Sequence, residues 1–337
     1  MKLQDEILQR MIQQKGRYLS GAALAGQFGV SRSAVWKAVC ALRAKGHRIL
    51  SSAGLGYCLL AQSERLSAGG IAGRLRGAAR GARIQVRDCV SSTNTLLHQM
   101  AQQGAPEGTV LLAEEQTAGR GRLGRGFYSP PGSGLYMSVL LRPALPAAQV
   151  QLITVAAAVA AASAAQPYSE DPVFIKWVND LYCRGRKICG ILTEAAFDCE
   201  TGGVEYAVLG IGLNVLPIPD LPRELEEIAG SLLTRPTCPG ELKEALAAEI
   251  LNRFFEAYAA LPQKPFMAEY RARSFVPGHT VRVLRGGEEF PAYAVGIDEN
   301  AGLLVEYPDG RRETLSCGEV SIRPDTVFSR TERCQSP

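Results

Sequence analysis

No two of the nine cysteines stand in a C-x-x-C pair, and the number is odd. That argues against a disulfide framework and against a zinc site of the usual spacing, and for a reducing, cytoplasmic setting. Apolar runs are short. The longest, VQLITVAAAVAAASAA at 150–165, is alanine-rich and falls below the roughly 20 residues that span a bilayer comfortably. It reads as a buried helix. No charged-then-apolar signal opens the chain, so no membrane partner is expected. What is present is an ordinary globular composition, 46% hydrophobic and 21% charged, over 337 residues, long enough for two or three domains.

The modest net charge of +4 conceals an asymmetry. Residues 1–62 carry nine Lys/Arg against two Asp/Glu, whereas the remainder carries 28 against 31. A basic N-terminal unit on a mildly acidic body points to nucleic acid for the first part only. Within it, YLSGAALAGQFGVSRSAVWKAVCALRAKGHRIL predicts two helices joined by a tight turn. Ser20 caps the first, Gly29 ends it in the left-handed conformation, and Ser31 caps the second, which runs to Gly46. Val35, Val39 and Leu42 form the core stripe, leaving Arg32, Ser33, Trp36 and Lys37 on another face. HRILSSAGLGYCLL follows as strand, Gly-x-Gly turn and strand, a wing. The pattern fits a winged helix-turn-helix over 1–62, with Ser31, Arg32, Ser33, Trp36 and Lys37 toward DNA. A solvated basic face or a protein-interaction module fits the same residues.

The central region holds the unusual chemistry. A strand, ARIQVRDCV, delivers SSTNTLLHQM, where Ser91 to Asn94 either cap a helix or meet a ligand. A second strand, GTVLLAEEQ, runs into QTAGRGRLGRGFYSPPGSGLYMSV. Gly119, Gly121 and Gly124 formally match G-x-G-x-x-G, yet a double proline and a strand follow instead of a helix. No Gly-Lys-Ser/Thr follows either, so neither familiar nucleotide cradle applies. Arg120, Arg122 and Arg125 between glycines suit a loop that orders over a phosphate or carboxylate, which guanidinium groups bind in bidentate fashion. In PVFIKWVNDLYCRGRKICGILTEAAFD, Lys176, Asn179 and Asp180 bracket the end of one strand and Lys187 begins the next. Lysines in apolar strands usually snorkel or pair; two converging with Asn and Asp suggest a site. In VEYAVLGIGLNVLPIP, Gly210 and Gly212 invite close approach of a ligand or backbone, and Asn214 is a polar candidate for an adenine or ribose. Strands beside a few helices make the whole α+β.

Together STN, QTAGRGRLGRGFYSPPGSGLYMS, KWVNDLYCRGRKICGILTE and GIGLNV occur in the order and spacing of biotin–protein ligases, and this chain resembles that family's bifunctional, repressor-bearing type. The resemblance implies a class II synthetase-like ligase core at 67–270 and a C-terminal SH3-like barrel at 275–325. It implies ATP and Mg2+ as cofactors, biotin as substrate, and biotinyl-5′-AMP as both intermediate and corepressor. A biotin carboxyl carrier protein domain would receive the biotinyl group, and a liganded homodimer would bind operator DNA. By the same resemblance Ser92, Thr93, Asn94, Gln116, Arg120, Gly121, Arg122 and Lys187 hold biotin. Arg120, Arg122, Lys176, Asn179, Lys187 and Asn214 hold the nucleotide, and Lys187, Arg122 and Asp180 are catalytic. The resemblance puts Asn179 and Asp180 near the adenine, the metal or the incoming lysine without a resident metal site, and His47, His98 and His279 match no catalytic position. Two anions must meet in such a reaction, so fixed cations are what the chemistry needs.

Departures from the family pattern are few. Lys-Trp-Pro-Asn-Asp reads Lys176-Trp177-Val178-Asn179-Asp180, and the aromatic after the arginine loop is Phe127 or Tyr128 in place of tryptophan. LPIPDLPRELEEIAGSLL at 216–233 has no aromatic that could stack on adenine. The last segment, 277–323, alternates short strands with Gly-Gly, Glu-Asn and Asp-Gly turns, and 326–337 reads as a frayed tail. A sensor without catalysis and a lipoate ligase are the competing readings.

Overall fold

The computed structural model describes residues 2–14, 16–44, 47–52, 54–61, 65–198, 203–218, 221–235, 241–285, 288–316 and 319–321. Gly46, the middle of the wing turn, the 199–202 turn, the Gly-Gly turn at 286–287 and the C-terminal tail lie outside them.

A helix that sequence reasoning did not pick out opens the fold: α1 (Leu3–Gln13), whose Ile7, Leu8 and Met11 are buried. Next come α2 (Gly21–Phe28) and α3 (Arg32–Ala44). The ends of α2 and the turn into α3 follow the expected chemistry. Ser20 Oγ accepts from Ala22 N, Gly29 takes φ +62°, and Ser31 Oγ accepts from Ala34 N at 3.2 Å. Val35, Val39 and Leu42 face α1 and α2, while Arg32, Ser33, Trp36 and Lys37 are all exposed. The wing is β1 (Arg48–Ser52) antiparallel to β2 (Gly56–Ala61), anchored where Leu19 and Tyr57 exchange backbone hydrogen bonds.

One short helix, α4 (Ala68–Ala72), sits between this unit and the rest. A Cβ on Gly69 would lie 2.2 Å from Asp5 O of α1, and one on Gly70 would lie 2.0 Å from Glu244 Oε2. Only glycine lets α4 approach both sides so closely. Glu244 belongs to α7 (Leu242–Ala259) and is fully buried. Its Oε1 accepts from Ser67 N at 2.9 Å and Ser67 Oγ at 2.7 Å, and Arg74 stands 3.6 Å from Oε2. Burial outweighs these partners and pushes its carboxyl up to about 7. A raised folded value means the folded state holds the proton more tightly. Stability contributed at this residue is therefore lost as pH rises from the ordinary carboxyl range through neutrality. Urea unfolding between pH 5 and pH 8 is expected to show that decline, and Glu244→Gln to flatten it; an unchanged slope would contradict the assignment.

The central sheet runs β3-β4-β5-β9-β8-β7-β6. Its strands are β3 (Arg83–Val90), β4 (Thr109–Gln116), β5 (Gly134–Leu141), β6 (Phe174–Lys176), β7 (Asp180–Cys183), β8 (Arg186–Phe197) and β9 (Val204–Asn214). Only the β3–β4 pair is parallel. All of β5 is buried, because both sheet faces are covered. Its residues alternate accordingly. Val139 and Leu141 pack with α6 (Gln151–Ala165) and α7, and Leu140 packs with Leu97 and Ala101 of α5 (Thr93–Gln102). The segment Ala147–Tyr168 is long and apolar enough to cross a membrane, but its α6 residues Leu152–Ala165 are buried in this core, as the sequence suggested.

The single strand expected to end at Lys176, Asn179 and Asp180 is instead two short ones. Residues 177–179 turn the chain so that β6 and β7 pair antiparallel, with Lys176 opposite Asp180. The Trp177–Val178 peptide is cis. After α8 (Met267–Arg273) comes a five-stranded antiparallel sheet, ordered β13-β12-β11-β10-β14. Its members are β10 (Thr280–Arg285), β11 (Glu288–Ile297), β12 (Leu303–Glu306), β13 (Arg312–Leu315) and β14 (Glu319–Ser321). It joins the central core through Trp177 Nε1, which donates to Ala301 O at 2.8 Å. The five described cysteines, Cys40, Cys58, Cys89, Cys183 and Cys189, carry free thiols.

Candidate active site

A cavity of about 150 Å3 opens on the central sheet where β4 ends and β8 and β9 cross it. Among the described residues five cations line it, Arg120, Arg122, Arg125, Lys176 and Lys187, against one carboxylate, Asp180. Such an excess of positive charge over a partly enclosed floor favours an anionic occupant. Ser92, Thr93, Asn94, Gln116, Gly121 and Asn179 line it too, so the structure gathers in one place residues spread from 92 to 187.

One end is closed by a polar row. Ser92 caps α5, so Thr93 and Asn94 enter its first turn facing β4 and β5. Gln116 Oε1 accepts from Thr93 N at 2.9 Å and Thr93 Oγ1 at 3.1 Å, while its Nε2 donates to Ser129 Oγ at 2.9 Å. Ser138 Oγ lies 2.7 Å from Thr93 Oγ1 and 2.6 Å from Asn94 Oδ1. The row fixes donors and acceptors in direction before anything binds.

Over the cavity runs the arginine loop, which is a narrow hairpin. Gln116 bridges Ser129, Arg120 bridges Gly126, and Arg122–Gly124 makes a single tight turn. The aromatic facing inward is Phe127; Tyr128 is 41% exposed. Gly190 and Gly212 make room for it, since a Cβ on Gly212 would come within 2.6 Å of the Phe127 ring. Gly210 is closed instead by Asn94 Oδ1, 2.3 Å from its added Cβ. The close approaches expected at these glycines thus involve the protein's own side chains.

At the other end the β6–β7 turn presents its polar groups. Arg122 Nη1 donates to Asn179 Oδ1 at 3.1 Å, and Asn179 Nδ2 donates to Ile191 O at 2.8 Å. Lys187 Nζ stands 2.7 Å from Asp180 Oδ2, while Asp180 Oδ1 is buried without a hydrogen bond. Lys176 lies over the Tyr182 ring at 5.8 Å. Beneath them Cys189 is fully buried, and burial pushes its thiol far up, so it is an inert packing group. Asn214 is not among the lining residues. Its Nδ2 donates to Gly230 O at 3.0 Å, and its backbone oxygen accepts from Leu232 N, so it shapes the 214–232 loop.

Sequence reasoning did not single out Glu194. From β8 it reaches Arg120 Nη2 at 3.0 Å and Asn94 Nδ2 at 2.8 Å, with His98 Nε2 3.7 Å away. Its carboxyl is held below the usual range, foremost by His98, against burial, with Asn94 and Arg120 adding to the effect. At 3.7 Å the histidine contact is electrostatic, too long for a hydrogen bond. Val320 of β14 also lines the cavity, a long-range contact that no local pattern foretells.

Against known proteins, a model described as the biotin/lipoate A/B protein ligase family matches residues 86–214. An HTH domain matches 4–58 and a biotin protein ligase C-terminal domain 278–323. The bifunctional ligase/repressor BirA of Bacillus subtilis is 32% identical over 320 residues, covering 93% of this chain and 97% of that protein. BirA of Escherichia coli is 32% identical over 317 residues, with 91% and 94% covered. The biotin protein ligase from Aquifex aeolicus in complex with biotin and ATP superposes with a TM-score of 0.59 at 25% identity, over 71% of this chain and 97% of that one. With such identity along nearly its whole length, over the same succession of helix-turn-helix, ligase and C-terminal units, the chain belongs to the family of bifunctional biotin–protein ligase/repressors.

Proposed function

We propose that this protein activates biotin with ATP to biotinyl-5′-AMP, passes the biotinyl group to one lysine of a biotin carboxyl carrier protein, and represses transcription in response to biotin. The observation that carries this reading is the cavity itself, with five cations around one carboxylate and a polar row at its closed end. Incubation with biotin, ATP, magnesium and a carrier domain, followed by a streptavidin blot, tests it. An unlabelled carrier would leave only a biotin sensor.

In the first step a biotin carboxylate oxygen bonds to the α-phosphorus, and the bond to the bridging oxygen breaks, releasing pyrophosphate. Both partners are anions that repel. Ser92, Thr93, Asn94 and Gln116 hold the ureido end, which points the carboxylate toward Lys187. Arg120, Gly121 and Arg122 fold over biotin and the phosphates, while Lys176 and Asn179 face the nucleotide. Lys187 turns from Asp180 toward the oxygens on which charge accumulates, where a fixed cation counts most. Asn214 acts at one remove, by shaping the loop beside the nucleotide. In the second step the carrier amine attacks the acyl carbon and AMP leaves with the electron pair. Asp180, released by Lys187, orients that amine. Asp180 also fits magnesium, because its Oδ1 is buried without a partner and Mg2+ is commonly shared between one carboxylate and substrate phosphates. When bound, the ion would screen charge on the phosphates.

The reading divides the chain into a winged helix-turn-helix at 1–62, the ligase at 67–270 and an SH3-like unit at 275–325, working in the cytoplasm. Arg32 and Lys37 meet phosphates or base edges, with Ser33 and Trp36 beside them and Ser31 holding the helix start. A lid ordered by biotinyl-AMP favours a homodimer that sets two winged helices on a two-fold operator, and unmodified carrier competes for that surface. Gel shifts are expected to show operator binding abolished in Arg32→Ala/Lys37→Ala with ligation intact. Equal loss of ligation would contradict the division of labour.

A further inference from the structure

Glu194 does not line the cavity, yet two of the side chains that do, Asn94 and Arg120, meet at its carboxylate, with His98 beside them. Oε2 accepts from Asn94 Nδ2, and Leu192 O lies 3.4 Å from the same nitrogen. Both place the Asn94 amide nitrogen toward β8. Its oxygen is thereby turned to Ser138 and to the Gly210 backbone, and a flipped amide would set oxygen against oxygen. Oε1 holds Arg120, a lid residue whose guanidinium is half-exposed. The closed end and the lid therefore share one carboxylate.

We infer that Glu194 is a positioning residue that couples the closed end of the cavity to the lid: through Asn94 it orients the polar row, and through Arg120 it tethers the loop that retains the adenylate. Because Asn94 and Arg120 take different oxygens, the two effects separate by substitution. Glutamine keeps an acceptor for Asn94 but loses the charge that holds Arg120. Alanine loses both. The inference rests on the reading of the cavity as the biotin and adenylate site.

The test measures the biotin KM and, without carrier, the rate at which preformed biotinyl-AMP escapes the full-length enzyme into a filtrate. For Glu194→Gln the KM should stay near the wild-type value while escape rises about fivefold to tenfold, the range for a charge-assisted bond at a half-exposed site. For Glu194→Ala the KM should also rise, by about tenfold. Glu194→Gln is isosteric, so it remains informative if the alanine variant fails to fold. Wild-type escape from the glutamine variant, or a biotin KM unchanged in a folded alanine variant, overturns the coupling. A wild-type enzyme that forms no biotinyl-AMP at all overturns the functional reading, and the coupling with it.

Discussion

Lys187→Ala is expected to lower the rate of biotinyl-AMP formation by about three orders of magnitude, roughly 4 kcal/mol of transition-state stabilisation, measured as pyrophosphate release. The effect is electrostatic. Adenylation concentrates negative charge between a carboxylate and a phosphate, and a positioned cation in a partly enclosed site acts there more strongly than in water. Lys187 is placed for this at the start of β8, where the turn from β7 brings its Nζ to Asp180 at 2.7 Å. On the proposed mechanism the pair is a parked state, in which an anion entering the cavity competes with Asp180 for the ammonium. Its side chain is 30% exposed, so the fold should lose little when it is shortened. Lys187→Arg keeps the charge in a different shape and should fall between alanine and wild type. Pyrophosphate release within a few-fold of wild type in the alanine variant would remove Lys187 from the chemistry.

The largest effect on stability is expected far from that cation. Lys243 of α7 is buried, and its Nζ meets Glu114 Oε2 at 3.2 Å with Gly132 O at 3.4 Å. Glu114 in turn accepts from Leu66 N, just before α4. One buried ion pair thus ties together β4, the segment that leads out of the lid, α7 and the approach to the DNA-binding unit. Lys243→Ala would strand the Glu114 carboxylate in the interior, and breaking such a pair from one side costs about 3–5 kcal/mol. In a unit of this size that corresponds to a midpoint lowered by about 10 °C, read by thermal unfolding. Glu114→Gln added to Lys243→Met should recover most of it, because the charge is then gone from both sides. A single variant that melts with the wild type would show that water reaches the pair.

Where a rule is local, the chain can be read from its letters. Ser20, Gly29 and Ser31 mark both ends of α2 and the start of α3 because capping depends on neighbours in sequence. The arginine loop stands out in the sequence because arginines spaced by glycines are an unusual pattern, and the fold places it over the cavity. Pairing across the fold is not legible in this way. Glu194 meets Arg120 across 74 positions and Asn94 across 100, and Lys243 meets Glu114 across 129. β6 has three residues and β7 four, too short to show alternation, so they merge into one apparent strand. Asn214 lies two and four residues beyond Gly212 and Gly210, which a period of two assigns to one sheet face. Its amide nonetheless donates to Gly230 O, a partner that only the folded loop supplies.

In the proposed reaction the arginine loop and the β7–β8 hairpin bring positive groups around two repelling acidic ones. A crystal structure with biotinyl-5′-AMP bound tests it most directly. Lys187 Nζ and the Arg122 guanidinium should then lie about 3 Å from carboxyl or phosphoryl oxygens, with Lys187 parted from Asp180. If they instead face bulk water, with the adenylate held by other groups, the claim is wrong.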